Sequence, residues 1–318
     1  MKTTTNRTRL SVVFLALFLL LCAGLTYGTV EETINKSFTV RPGGNLTVDT
    51  DKGSIDVEAI RGNTVDVEIV QYVRAVSKRR AQDILDDFRV HFDQDGADVF
   101  IKAEYRKTGI RRFWNRLTNR LRVKFFITVP QEYNVGLHTS GGSITVENLE
   151  GEVESRTSGG KLTFENISGD IFGKTSGGSI RIGEVDGDVN ARTSGGSIRI
   201  TRASGNIDVH TSGGGITVEE VMGSIQASTS GGSVMAYISR QPEADCRLKT
   251  SGGSITVYLG DDVGLDVNAR TSGGRIHTDF PVKVYGTISP RSLDAEVNGG
   301  GPELTLRTSG GGIHIKKK

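Results

Sequence analysis

Cysteine and proline are scarce in this chain of 318 residues, with 2 of the first and 6 of the second, and tryptophan occurs once. So few cysteines exclude a disulfide-built scaffold. An excess of charge is missing too: 39 Lys and Arg stand against 37 Asp and Glu. That balance excludes a disordered polyelectrolyte and a globally basic nucleic-acid binder, so no nucleic-acid partner is expected. What the chain has in plenty is glycine, 42 residues, roughly twice the usual share of about 7%. No Gly-X-Y period accompanies it, which excludes collagen.

At the N-terminus, Lys2, Arg7 and Arg9 precede an apolar run from Val12 to Ala23 and the small residues Gly24, Thr26 and Gly28. The run is shorter than the roughly 20 residues of a membrane-spanning helix, so residues 1–28 read as a secretory signal. Cleavage is expected after Gly28 or Gly24, with an uncleaved anchor as the alternative. Cys22 follows Leu21, where a lipidation signal has a small residue. Export places the protein in the periplasm or at the cell surface. It also leaves Cys246 without an intrachain partner, in the role of a small buried hydrophobe.

Thr-Ser-Gly-Gly recurs nine times, starting at Thr139, Thr157, Thr175, Thr193, Thr211, Thr229, Thr250, Thr271 and Thr308, and the first five intervals are all 18 residues. The last interval is 37 residues, room for two coils with one motif eroded. A second glycine, at 151, 169, 187, 205 and 223, lies six residues before the next Thr. Each unit therefore holds two turn signals and two short alternating segments. In Ser197-Ile198-Arg199-Ile200 the isoleucines share one face, and in Val189-Asn190-Ala191-Arg192-Thr193 the valine, alanine and threonine do. Eighteen residues are too few for a strand-helix-strand crossover. The expected fold is all-β, a parallel β-solenoid of about 18-residue coils in which stacking buries what one coil cannot. The Gly pair is expected to serve a tight corner by adopting positive φ.

The expected organisation is a signal at 1–28, N-terminal strands and a first coil at 29–70, an α+β insertion at 71–135 and solenoid repeats at 136–318. Thr50-Asp51-Lys52-Gly53-Ser54-Ile55 is an early copy of the motif, and Arg61 to Val67 matches a coil's second segment. Within the insertion, Ala81, Ile84, Leu85 and Phe88 mark one helix face between about Ser77 and Arg89. Strands are expected at about 90–93, 98–105 and 121–129. The insertion is expected to cap one end of the rod and Lys316-Lys317-Lys318 to protect the other by charge.

The Thr-Ser-Gly-Gly-Ser-Ile units, the early Gly-Ser-Ile-Asp-Val copy, the interposed helix and the ending Asn298-Gly299-Gly300-Gly301 to Ile313 resemble the bacterial adhesin-like β-strand-repeat family over about residues 33–315. The resemblance implies an exported bacterial β-solenoid with no catalytic residue to carry over, a binding or structural module of the cell envelope.

Two cationic features are candidates for ligand contact. The residue before the motif is Lys or Arg in six of nine units: Arg156, Lys174, Arg192, Lys249, Arg270 and Arg307. Stacking would align them as a track for an anionic polysaccharide, against a solvated and internally compensated face. Like charges about 4.8 Å apart repel by only about 0.9 kcal/mol in water. The second feature is the basic segment 106–124, which has no acid. Its apolar residues Ile110, Phe113, Trp114, Leu117 and Leu121 recur at helical spacing, and Arg111, Arg112, Trp114, Arg116 and Arg120 would meet an anionic lipid surface. The bland reading is a segment packed on the solenoid. The threonines, inward or at the corner, are expected to bond from coil to coil or to the corner backbone rather than form a surface array. The corners lack the carboxylates of calcium-binding rolls, and no metal or other cofactor is expected. Asp245, Asp261, Asp262, Asp266 and Asp279 are the sole support for a glycan-active β-helix enzyme, and they would have to meet on one face.

Overall fold

The computed structural model describes residues 29–74, 77–106, 120–285 and 289–318. The signal segment 1–28, with Cys22, lies outside the described residues. The first elements are β1 (Thr29–Thr39), β2 (Gly44–Thr50), β3 (Ser54–Ile60), β4 (Thr64–Arg74), α1 (Lys78–Asp86), β5 (Phe88–Asp95), β6 (Asp98–Tyr105) and β7 (Leu121–Pro130). The regular coils follow as β8 (Tyr133–Thr139), β9 (Ile144–Glu147), β10 (Val153–Thr157), β11 (Leu162–Glu165), β12 (Ile167–Ser168), β13 (Ile171–Lys174), β14 (Ile180–Asp186), β15 (Val189–Thr193) and β16 (Ile198–Ala203). They continue as β17 (Ile207–Thr211), β18 (Ile216–Val221), β19 (Ile225–Thr229), β20 (Val234–Ile238), β21 (Cys246–Thr250) and β22 (Ile255–Leu259). The last six are β23 (Leu265–Thr271), β24 (Ile276–Thr278), β25 (Val282–Val284), β26 (Ser292–Val297), β27 (Glu303–Thr308) and β28 (Ile313–Lys317).

The strands form two 14-stranded sheets, a parallel β-solenoid closed at each end by antiparallel strands. Sheet A, built mostly from the strands after each corner, runs β1-β4-β7-β3-β9-β11-β14-β16-β18-β20-β22-β28-β24. Sheet B runs β25-β26-β23-β27-β21-β19-β17-β15-β13-β10-β8-β2-β6-β5. Alternation decides which side chains meet between them. In β15 and β16, Val189, Ala191, Ile198 and Ile200 are buried while Arg192 and Arg199 are exposed. The same pattern repeated level by level gives one core along the rod, and Cys246 belongs to it as a free, buried thiol.

Each corner is fastened to its neighbour through threonine. Thr193 Oγ1 donates to the Gly178 carbonyl of the adjacent coil at 2.8 Å and accepts from Gly196 N–H of its own corner at 3.4 Å. The pattern repeats from Thr139, which reaches Gly53, to Thr271, which reaches Gly311. The hydroxyls are thus internal ladder rungs, as expected. Thr211 is fully buried and donates to Gly196 O at 2.7 Å. Thr211→Val keeps the shape and strands that acceptor, so unfolding stability measured in denaturant should fall by about 1–3 kcal/mol.

The corner glycines answer a different need from the one expected. Gly53 alone among them has positive φ. In the repeated motif the second glycine is required by contact: a Cβ on Gly196 would lie 2.1 Å from Gly178 O.

Both rod ends depart from sequential stacking. After β3 the bend at 61–63 reverses the chain within sheet A, so β4 pairs antiparallel with β7 and β1 and does not form a coil's second segment. Helix α1, N-capped by Ser77, buries Ala81, Ile84 and Leu85 against β4 and β5. The strands β6 and β7 rejoin the stack, parallel to β2 and β3.

At the other end the last interval does not hold two successive coils. Strand β26 folds back antiparallel on β23, and Asn298 to Gly301, all at positive φ, carry the chain to the opposite flank. The final coil then slots between two earlier ones, β27 between β21 and β23, and β28 between β22 and β24. Lys316 and Lys317 are therefore interior to the stack order and do not guard its end. Lys316 sits over the Tyr258 ring and Lys317 over Phe280.

Candidate functional site

The outer face of sheet B is organised in columns by the parallel register. His138, Arg156, Lys174, Arg192, His210, Ser228, Lys249, Arg307 and Arg270 are directly paired in that order. All six predicted cations thus share one column. Its order is corrected at the end, because the intercalated final coil sets Arg307 between Lys249 and Arg270.

The column is not uniform in charge. Arg156 pairs with Glu154 at 2.8 Å and lies over the Phe172 ring, and Arg192 pairs with Asp208 at 3.0 Å. These exposed pairs compensate the middle of the face, although each adds little stability. Lys174, Lys249 and Arg270 form no ion pair among the described residues.

The C-terminal end concentrates the uncompensated charge. Arg247, one column over on β21, joins Lys249, Arg307 and Arg270, so that three adjacent strands carry four cations. A shallow groove of about 590 Å³ is lined by Arg247, Lys249, Glu303, Thr305 and Arg307. Arg307 is half-buried, its guanidinium held by the Asn268 carbonyl at 2.7 Å and the Asn268 side chain at 3.0 Å. Burial, then the neighbouring Arg270 and, more weakly, Arg247, push its pKa below the ordinary arginine value, with Glu303 and Asp294 opposing. A fixed guanidinium flanked by free cations can accept an anion in a site that is partly organised before binding.

Arg247 lies outside the column that precedes the motif. Its link to Arg307 depends on the intercalation, for which the repeat gives no signal. A second feature is carried by the repeat itself. The residue after each mid-coil turn is often Asp or Asn, and its side chain accepts the same-column N–H of the next coil. Asp170 takes Asp188 N–H, Asp188 takes Asn206 N–H and Asp245 takes Glu303 N–H, all within 2.9 Å. These carboxylates are structural acceptors.

The five aspartates considered for glycan chemistry are dispersed. Asp245 immediately precedes β21 and Asp266 lies on β23, with Glu303 of β27 between them, Asp261 and Asp262 occupy the turn after β22, and Asp279 follows β24 of the other sheet. No group of three or more metal-ligating side chains occurs among the described residues.

The opposite end has the opposite sign. On the outer face of sheet A, a groove of about 820 Å³ around the exposed Phe126 is lined by Asp56, Glu58, Asp66 and Glu68. Burial raises the Asp56 carboxyl above the ordinary aspartate range, while Thr145 and Lys124 oppose the shift.

The basic segment connects β6 to β7, where a regular coil has its Thr-Ser-Gly-Gly corner. Arg111, Arg112, Trp114 and Arg116 lie outside the described residues. Arg120 immediately precedes β7, and Leu121 to Lys124 are strand, Leu121 and Val123 inward and Arg122 and Lys124 outward, so the helical spacing does not extend to Leu121. No helix among the described residues is long and apolar enough to cross a membrane.

No curated relative matches the chain. Similar solved structures include a candidate adhesin from Parabacteroides distasonis ATCC 8503, 10% identical with a TM-score of 0.42, covering 90% of this chain and 97% of that one. A candidate adhesin from Bacteroides fragilis NCTC 9343 is 16% identical with a TM-score of 0.39, at 90% and 97% coverage. A candidate lipid-binding protein from Parabacteroides distasonis ATCC 8503 is 14% identical with a TM-score of 0.34, at 90% and 96%. The family profile described as Toastrack DUF4097 matches residues 45–316, nearly all of the solenoid. The chain belongs to the Toastrack DUF4097 family.

Proposed function

We propose that this protein is a non-catalytic, adhesin-like binding module of the bacterial cell envelope that holds an anionic polysaccharide on the outer face of sheet B. The basic and apolar N-terminal segment supports export. The observation that carries the ligand class is the cluster of Arg247, Lys249, Arg307 and Arg270 on three adjacent strands, of which Arg247, Lys249 and Arg270 have no ion-pair partner among the described residues. A repeating anion laid across the strands meets a charge at each step, and the acidic groove at the far end of the other sheet disfavours binding there.

Polygalacturonate is a suitable probe, with neutral dextran as control. Replacing Arg247, Lys249 and Arg270 together by Ser leaves the hydrogen-bonded Arg307 in place and removes only exposed side chains. Affinity for polygalacturonate, measured by calorimetry, should fall at least about tenfold, or about 1.4 kcal/mol, and wild-type binding should weaken as salt rises. Equal affinity of the triple variant and the wild type would remove the proposed site. Binding to anionic-lipid vesicles that survives the triple replacement would move the contact to the basic segment 106–124.

A further inference from the structure

We infer that two copies of the chain associate through their β1 strands, antiparallel and two-fold symmetric about Ile34, joining both A sheets into one. Strand β1 is an edge of 11 residues without proline, and among the described residues it is paired on one side only, by β4. An edge of this length with its backbone groups open is a template for strand addition. Sheet A extends two strands past the β6–β7 level and sheet B one, so β1 is the outlying strand at this end.

The hydrogen-bond phase of β1 is fixed by its partner. Every pair in the β1–β4 register follows one alternation, Thr39 opposite Thr64 and Ile34 opposite Ile69. Continuing it, Val40 N–H donates to Asn63 O at 2.9 Å. Even-numbered residues therefore exchange hydrogen bonds with β4, and Glu31, Thr33, Asn35 and Ser37 turn their N–H and C=O groups toward the open edge. In a two-fold pairing about Ile34, Thr33 faces Asn35 and Glu31 faces Ser37 of the second copy. These are the hydrogen-bonded pairs, and their free backbone groups match.

The even residues then form the close, non-hydrogen-bonded pairs. Val30 meets Phe38, Glu32 meets Lys36, and Ile34 meets itself, with each heterotypic contact made twice. Opposite charges and apolar partners in directly opposed positions favour antiparallel pairing. Val30 and Ile34 are only partly buried in the single chain, and Glu32 and Lys36 are exposed. Inward-facing charges on an edge strand ordinarily block addition of another strand. Here they would block a shifted register and neutralise one another in this one.

The test separates these roles by charge exchange. Sedimentation equilibrium of the wild-type protein should give twice the chain mass. Glu32→Lys alone and Lys36→Glu alone each oppose like charges twice, and each should weaken dimerisation at least about tenfold while circular dichroism stays unchanged. An equimolar mixture of the two single variants should recover the dimer as a heterodimer, and the double exchange should recover the homodimer. A wild-type protein that stays monomeric at every attainable concentration, single variants that dimerise as well as the wild type, or a mixture that fails to recover would each overturn the inference.

Discussion

Gly196→Ala should lower the melting temperature by roughly 2–12 °C, whereas Gly195→Ala, one residue away in the same corner, should change it by less than about a third of that. A Cβ at position 196 would stand 2.1 Å from Gly178 O and 2.5 Å from Ser179 N, both backbone atoms of the adjacent coil. Neither can turn aside as a side chain could, so two coils must separate locally. The Thr193 bond to that same Gly178 carbonyl is strained with them. Overpacking of this kind costs about 1–3 kcal/mol, occasionally more, which for a domain of this size converts to several degrees. At Gly195 the nearest atom to a built Cβ is 3.2 Å away, a contact relieved by a few tenths of an ångström. Calorimetric scans of both variants provide the comparison. Equal melting temperatures would mean that the corners do not stack in direct register.

Ile313→Ala is the second large effect, at about 2–5 kcal/mol, and its contrast is Ile276→Ala at about 1 kcal/mol. Ile313 is fully buried on β28, with Ile255 on one side and Ile276 on the other. Ile276 lies on the outermost strand of sheet A and is partly exposed. Truncation at 313 opens a cavity that neighbours on both sides keep from collapsing, while at 276 solvent fills one side. A stack that followed chain order would reverse the ranking, since Ile313 would then sit on the final strand. Denaturant unfolding of the two variants reads the order of the coils through stability.

The repeat unit was legible because one physical rule, alternation across a thin core, acts on every coil. Thr193, Ile198 and Ile200 declare their inward positions within eight residues, and the 18-residue period places the next set above them. The six predicted cations came into one column for the same reason. The order of the levels is another matter. Coils 246–259, 265–278 and 303–317 present nearly the same inward pattern, so each can neighbour any other without an alternation conflict. The choice is made by β26 folding back on β23 and by the positive-φ turn at Asn298 to Gly301, a contact between segments far apart in the chain. Arg247 became part of the site only through that choice. The glycine excess was placed correctly at corners, yet its cause at Gly196 is the approach of another coil, which a single unit cannot show.

A binding surface built this way is a property of stacking. Each strand contributes one or two outward cations, and neighbours supply the rest. The middle of sheet B shows how easily such a column is neutralised, by Glu154 beside Arg156 and Asp208 beside Arg192. At the C-terminal end β27 brings Arg307 in between Lys249 and Arg270, and the cations there outnumber Glu303, the carboxylate that the same strand adds to the groove.

That intercalation is tested most directly by paired cysteines at outward positions of sheet A. Thr256 and His314 are in direct register, and His277 follows on the far side of His314. Adjacent strands lie about 4.8 Å apart, within reach of a disulfide, and strands two levels apart do not. Under mild oxidation, Thr256→Cys with His314→Cys should form an intrachain disulfide detectable by peptide mass mapping, and Thr256→Cys with His277→Cys should not. A disulfide in the second pair and none in the first would contradict the arrangement.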